Sequence, residues 1–95
     1  MAAYLISTIE ITDPAGYEEY RKLVGPALQK YGGKFLVRGG KIHYLEGSWQ
    51  PKRVVVVEFE SVEKAKAFSD ATEYAEAKAI RHRTSTSSVI VVEGV

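Results

Sequence analysis

The chain contains no cysteine, which excludes disulfides, thiolate metal sites and a cysteine nucleophile. His43 and His82 are its only histidines. They stand far apart, without HxxxH or HExxH spacing, so nothing indicates a metal or haem site. No apolar run approaches the roughly 20 residues of a membrane span. Neither sign of charge dominates: 13 basic and 12 acidic side chains leave a net charge of +1. A nucleic-acid footprint needs a clustered basic face instead. Gly32-Gly33 and Gly39-Gly40 lack the GxGxxG or GxxxxGK context of a phosphate loop. The hydroxyl run Thr84-Ser85-Thr86-Ser87-Ser88 has no G-x-S-x-G elbow around it and reads as the polar lead-in to a strand. The start, Met1 to Ser7, has no basic region, and Glu10 soon follows, unlike a signal peptide. The expectation is a cytoplasmic protein that uses no cofactor and has neither nucleic acid nor membrane as a partner.

What is present suits one globular domain spanning residues 1–95, with 45% hydrophobic and 26% charged residues. A chain of this size buries roughly 60–65% of its unfolded surface, so its own core is limited. Tyr4 to Thr12 is β-branched and aromatic, without a helical period, and reads as a first strand. Asp13-Pro14 stops it and starts a helix, with Asp as N-cap and Pro at a position that needs no donor. Tyr17, Tyr20, Val24, Leu28 and Tyr31 then recur at three- and four-residue steps on one face. Pro26 inside that run is expected to kink or split the helix. Gly32-Gly33 ends it.

Lys34 to Arg38 reads as a second strand, which Lys41 to Glu46 either continues or extends at a bend beyond Gly39-Gly40. Arg53 to Phe59 reads as a third strand. Ser61 caps a second helix with an apolar stripe of Val62, Ala65 and Phe68. That helix is expected to break and restart around Asp70 and Glu73, which have capping-box spacing. The restarted piece runs to about Arg83, where His82, within Arg81-His82-Arg83, reads as a solvated helix end at which cations suit the macrodipole. Ser87 to Glu93 is the fourth strand. The order is βαββαβ: an α+β, ferredoxin-like, four-stranded antiparallel sheet with two helices on one face.

Two helices cover one face only. The other would alternate with polar residues if it met water. Val54-Val55-Val56-Val57 and Val89-Ile90-Val91-Val92 are instead apolar at every position. With the first and third strands central and the fourth at an edge, this face is expected to pack against a second copy.

Several stretches resemble the family catalogued as domain of unknown function 1330. They are Tyr31-Gly32-Gly33-Lys34-Phe35-Leu36-Val37-Arg38-Gly39-Gly40, then Glu46-Gly47-Ser48-Trp49-Gln50-Pro51-Lys52-Arg53, followed by Glu58-Phe59. Ala65, Phe68, Glu73-Tyr74, Arg81 and Val92-Glu93-Gly94 continue the pattern in order. The chain departs from it at Thr72, where proline is frequent, and at Phe68, where tryptophan is common. The resemblance implies a dimeric α/β barrel. That superfamily includes cofactor-free monooxygenases, muconolactone-type isomerases and haem-dependent chlorite-degrading enzymes. It implies no catalytic residue here.

Six residues are candidates for ligand contact. Arg38, beside Gly39-Gly40, offers a planar fork suited to a carboxylate, or else an ion pair with Glu46 or Glu58. Trp49 walls a pocket for a flat molecule or packs on the fold or the partner. Glu58, beside the valine face, acts as acid or base, or pairs with a cation. Tyr17, Tyr20 and Tyr74 bond a ligand between sheet and helices, or are core. Two readings follow. One is a dimeric small-molecule-binding protein, extending to a cofactor-free enzyme acting on a small organic acid or aromatic compound. The other is a non-enzymatic dimerisation or interaction module.

Overall fold

The computed structural model describes residues 1–95. Its elements are β1 (Ala3–Ile11), α1 (Pro14–Lys30), β2 (Lys34–Arg38), β3 (Arg53–Phe59), α2 (Val62–Ser69), α3 (Thr72–Thr84) and β4 (Ser85–Glu93). The four strands form one antiparallel sheet in the order β2-β3-β1-β4. This is the ferredoxin-like arrangement, with its second helical region in two pieces.

Local chemistry explains most boundaries. The Asp13 side chain accepts from Gly16 N at 3.2 Å and Pro14 opens α1. Pro26 does not split this helix, which runs on to Lys30. At its end Gly32 takes φ +79. Gly33 N donates to Leu28 O at 3.0 Å and Gly32 N to Gln29 O at 3.1 Å. This pair of bonds is the Schellman motif, which satisfies carbonyls the helix leaves free. A Cβ on Gly33 would overlap the Leu28 side chain. Ser61 Oγ accepts from Lys64 N at 3.2 Å and opens α2.

Two details differ from the sequence reading. The break between α2 and α3 is there, but Ala71 is the N-cap of α3 and supplies no side-chain bond. Asp70 instead ends α2, and Glu73 turns to Lys30 (2.6 Å) and the Tyr31 hydroxyl (3.1 Å). An ion pair across two helices displaced the capping box. The second detail is that residues 41–46 form no strand. Gly39, at φ +72, turns the chain out of the sheet, and the bulge falls earlier, between Phe35 and Val37.

The strand period sorts the sheet into two faces. On β1, Ala3, Leu5, Ser7 and Ile9 are buried toward the helices. Val57 and Phe59 join them from β3, and Val24, Leu28, Phe68 and Tyr74 close the core from the helices. The opposite face carries Ile6 between its register partners Val56 and Ile90. It remains uncovered: Ile90 is 56% exposed, Val92 44% and Val37 40%. The molecule is accordingly a slab, 35 × 33 × 16 Å.

The Glu73 staple gives a pH prediction. Lys30 foremost, then a backbone bond and Tyr31, hold the Glu73 carboxyl down from 4.5 to about 2. A carboxyl with a depressed folded pKa stabilises the fold above its unfolded value and loses that contribution on protonation. The contribution is therefore full above pH 4.5 and disappears as pH falls toward about 2. Glu73→Gln should lower the melting temperature slightly at neutral pH and flatten its decline across that acid window. Calorimetry of both proteins against pH checks this, and parallel curves would remove the staple from the account. The effect is small because the pair is exposed.

Candidate functional site

A cavity of about 540 Å³ lies between the helices and the covered face of the sheet. Its floor comes from alternate strand residues: Leu5 and Ser7 of β1, Val55 and Val57 of β3, Phe35 of β2, and Val89 and Val91 of β4. Its roof comes from one stripe of α1, with Tyr20, Val24 and Leu28, and from Phe68 and Tyr74 on the other helices. Ligand pockets typically enclose roughly 300–1,000 Å³ and combine apolar walls with a few polar groups. Here those groups are hydroxyls and cations.

The Tyr20 and Tyr74 hydroxyls meet inside, 3.2 Å apart. Tyr17 supports Tyr20 with ring centroids 5.2 Å apart, and Phe68 stacks on Tyr74 at 4.3 Å. Burial, then the nearby Tyr74, pushes the Tyr20 phenol far above its usual range. Tyr20 therefore stays protonated at any working pH and serves as a hydrogen-bond donor rather than a base.

Arg81 is the group the sequence reading missed. It is only 5% exposed. Nη1 donates to Ser87 Oγ at 2.6 Å and Nη2 lies 3.4 Å from His82 Nε2. Nε is buried without a partner. The signal was helical phase: Tyr74, Ala77, Arg81 and Thr84 repeat at three- and four-residue steps and are all buried. Arg81 occupies an apolar stripe, while His82 and Arg83 beside it are exposed.

The six sequence candidates do not form one cluster. Tyr20 and Tyr74 line the cavity and Tyr17 backs them. Arg38 borders a hollow of about 20 Å³ that shares Ser7, Tyr20, Val24, Phe35 and Val55 with the main cavity. That is room for one water. Arg38 makes no ion pair with Glu46 or Glu58. Its guanidinium stacks 4.2 Å from the Phe35 ring centroid and donates to Arg21 O at 3.3 Å. Arg53 shares this hollow, lies 5.8 Å from the Tyr17 ring centroid, and occupies the space a side chain at Gly39 would need. Glu58 stands on the opposite face of the sheet, across from Lys34 and Tyr4. Trp49 is 72% exposed on the segment between β2 and β3 and lines no part of the cavity. No group of three or more His, Asp or Glu side chains is placed to hold a metal ion, and no helix is long and apolar enough to cross a membrane.

Solved structures share the fold. A protein of unknown function from Rhodopseudomonas palustris superposes with a TM-score of 0.80 at 18% identity, over 99% of this chain and 82% of that one. A dimeric ferredoxin-like protein of unknown function from Bacteroides fragilis gives 0.65 at 13% identity, over 98% and 96%. SnoaB, a cofactor-independent oxygenase from Streptomyces nogalater, gives 0.63 at 10% identity, over 99% and 93%. No curated protein matches the chain. The family model of Domain of unknown function (DUF1330) matches residues 2–95, nearly the whole sequence, and the chain belongs to that family.

Proposed function

We propose that this protein is a homodimer that binds a small organic acid or aromatic compound between its helices and sheet, and that it transforms this ligand without a cofactor. The observation that carries the binding reading is the apolar cavity with the Tyr20–Tyr74 hydroxyl pair inside it. Tyr20 and Tyr74 contact the ligand, Tyr17 holds Tyr20 in place, and Arg38 acts from the flanking hollow. Glu58 and Trp49, which face away from the cavity, serve the partner surface. The cofactor-free chemistry rests on likeness of fold to SnoaB, which is analogy.

Shape supports the dimer. The slab is 16 Å thick and about twice as wide. Sheets pack face to face about 10 Å apart, so two copies joined at the open face would form a body roughly as deep as it is broad. Such an arrangement buries Ile6, Val56, Ile90 and Val92 together.

The test combines mass by light scattering with a titration of 2-naphthamide, a neutral flat probe, followed by NMR of the tyrosine rings. The expected result is twice the chain mass and saturable movement of the Tyr20 and Tyr74 signals, lost in Tyr74→Ala. A dimer whose tyrosine signals ignore the probe would favour the interaction-module reading. A single-chain mass would overturn the dimer.

A further inference from the structure

We propose that the cavity selects organic anions, carboxylates or enolates of flat molecules, and that Arg81 is the residue that receives the negative group. This rests on the cavity reading above and adds the sign and anchor of the ligand.

Arginine keeps its charge at every working pH, so burial cannot neutralise it. A buried charge needs a counter-charge or well-placed acceptors. Arg81 has neither in full. Its partners are Ser87 Oγ and a ring nitrogen of His82, neither of them a carboxylate, and Nε has none. The protein's four ion pairs all lie on the surface, and none includes Arg81.

The surroundings repeat the bias. Lys66, Lys78 and Arg81 border the main cavity, and Arg21, Arg38 and Arg53 border the adjoining hollow. Asp70 is the one acidic residue on either lining, although the chain has 12 acids against 13 bases. Near balance overall, with cations gathered at one cavity, is how a protein attracts an anion there. Lys78 is held in place by the Ser69 carbonyl at 3.2 Å.

Arg81 and the tyrosines face the same space. Arg81, Tyr20 and Tyr74 all line the cavity, as does the Ser87 that bonds Arg81. An anionic head against Arg81 would thus accept from the guanidinium and from a phenol together, while an aromatic body lies along Val24, Phe35 and Phe68. Ser87, on edge strand β4, fixes the guanidinium by its bond to Nη1.

The test compares 2-naphthoate with 2-naphthamide by calorimetric titration of the wild-type protein, Arg81→Gln and Arg81→Lys. These two probes have nearly the same shape and differ in charge. The wild type should bind the acid at least about tenfold more tightly, the ratio that a charge-assisted hydrogen bond of about 1.5 kcal/mol supplies. Arg81→Gln should bring the two probes to parity while keeping amide binding. Arg81→Lys should retain part of the preference. The ligand-free melting temperature of Arg81→Gln should stay level or rise, since an uncompensated charge is gone, whereas a purely structural arginine would lower it. Equal wild-type affinity for both probes, or a preference that survives in Arg81→Gln, would overturn the anion assignment and leave the cavity reading standing. Failure of both probes to bind would overturn both.

Discussion

Val56→Asp is expected to leave the protein monomeric. Val56 sits on the open face, paired in register with Ile6 on one side and Val37 on the other. In a two-fold dimer the substitution enters the interface twice. An uncompensated charge left in a buried contact costs about 3–5 kcal/mol. Two of them would weaken association by at least about 10⁴-fold. The isolated chain tolerates the change better, because Val56 is only partly buried there and its carboxylate can reach water. Small-angle scattering at micromolar concentration separates the outcomes. The variant should return a radius of gyration near the single chain's 13.3 Å, and the wild type about 16 Å by compact-domain scaling. Unchanged size together with an unchanged melting temperature would mean that this face is not buried.

Phe68→Ala should be the most damaging substitution within the core of one chain. Phe68 is 2% exposed and joins three aromatic neighbours: Tyr74 at 4.3 Å, Phe59 at 5.7 Å and Tyr31 at 6.4 Å between centroids. It thereby links α2 to α1, α3 and β3. Truncating a buried phenylalanine costs about 3–5 kcal/mol. Here the lower end applies, since Phe68 also borders the cavity and water can enter the space it leaves. At roughly 4–8 °C per kcal/mol for a domain of this size, the melting temperature should fall by at least about 12 °C. A fall under about 5 °C would show that the aromatic cluster is dispensable.

What could be read from the sequence was chiefly what is decided between near neighbours. The bounds Lys34–Arg38 and Arg53–Phe59 were legible because glycines or a loop rich in turn residues flank them. Asp13, Pro14, Ser61 and Gly32 marked helix ends through bonds that span only a few residues. The open valine face followed from two runs, residues 54–57 and 89–92, that are apolar at every position where a solvated face would alternate. Readings failed where a distant group intervened. Glu73 had the spacing of a cap partner for Asp70, yet Lys30, far back in the sequence, took it instead. Residues 41–46 look extended, but they form no strand because Gly39 directs the chain away from β3. Tyr20 and Tyr74 were assigned to the space between sheet and helices, and the packing of α1 beside α3 brings their hydroxyls together there. Arg81 was not among the candidates because only the helical phase, which turns it inward, sets it apart from the exposed His82 and Arg83. Arg38 and Trp49, both candidates for ligand contact, line no common space.

β1 leaves evolution little room. Of its nine residues only Glu10 is exposed. Ser7 and Leu5 border the cavity, while Ile6 stands between Val56 and Ile90 on the other side. A larger side chain at Leu5 or Ser7 intrudes on the cavity, and a polar one at Ile6 interrupts the apolar face. Sequence drift among relatives should therefore run slowest along this strand and fastest along residues 40–52, which no sheet partner restrains.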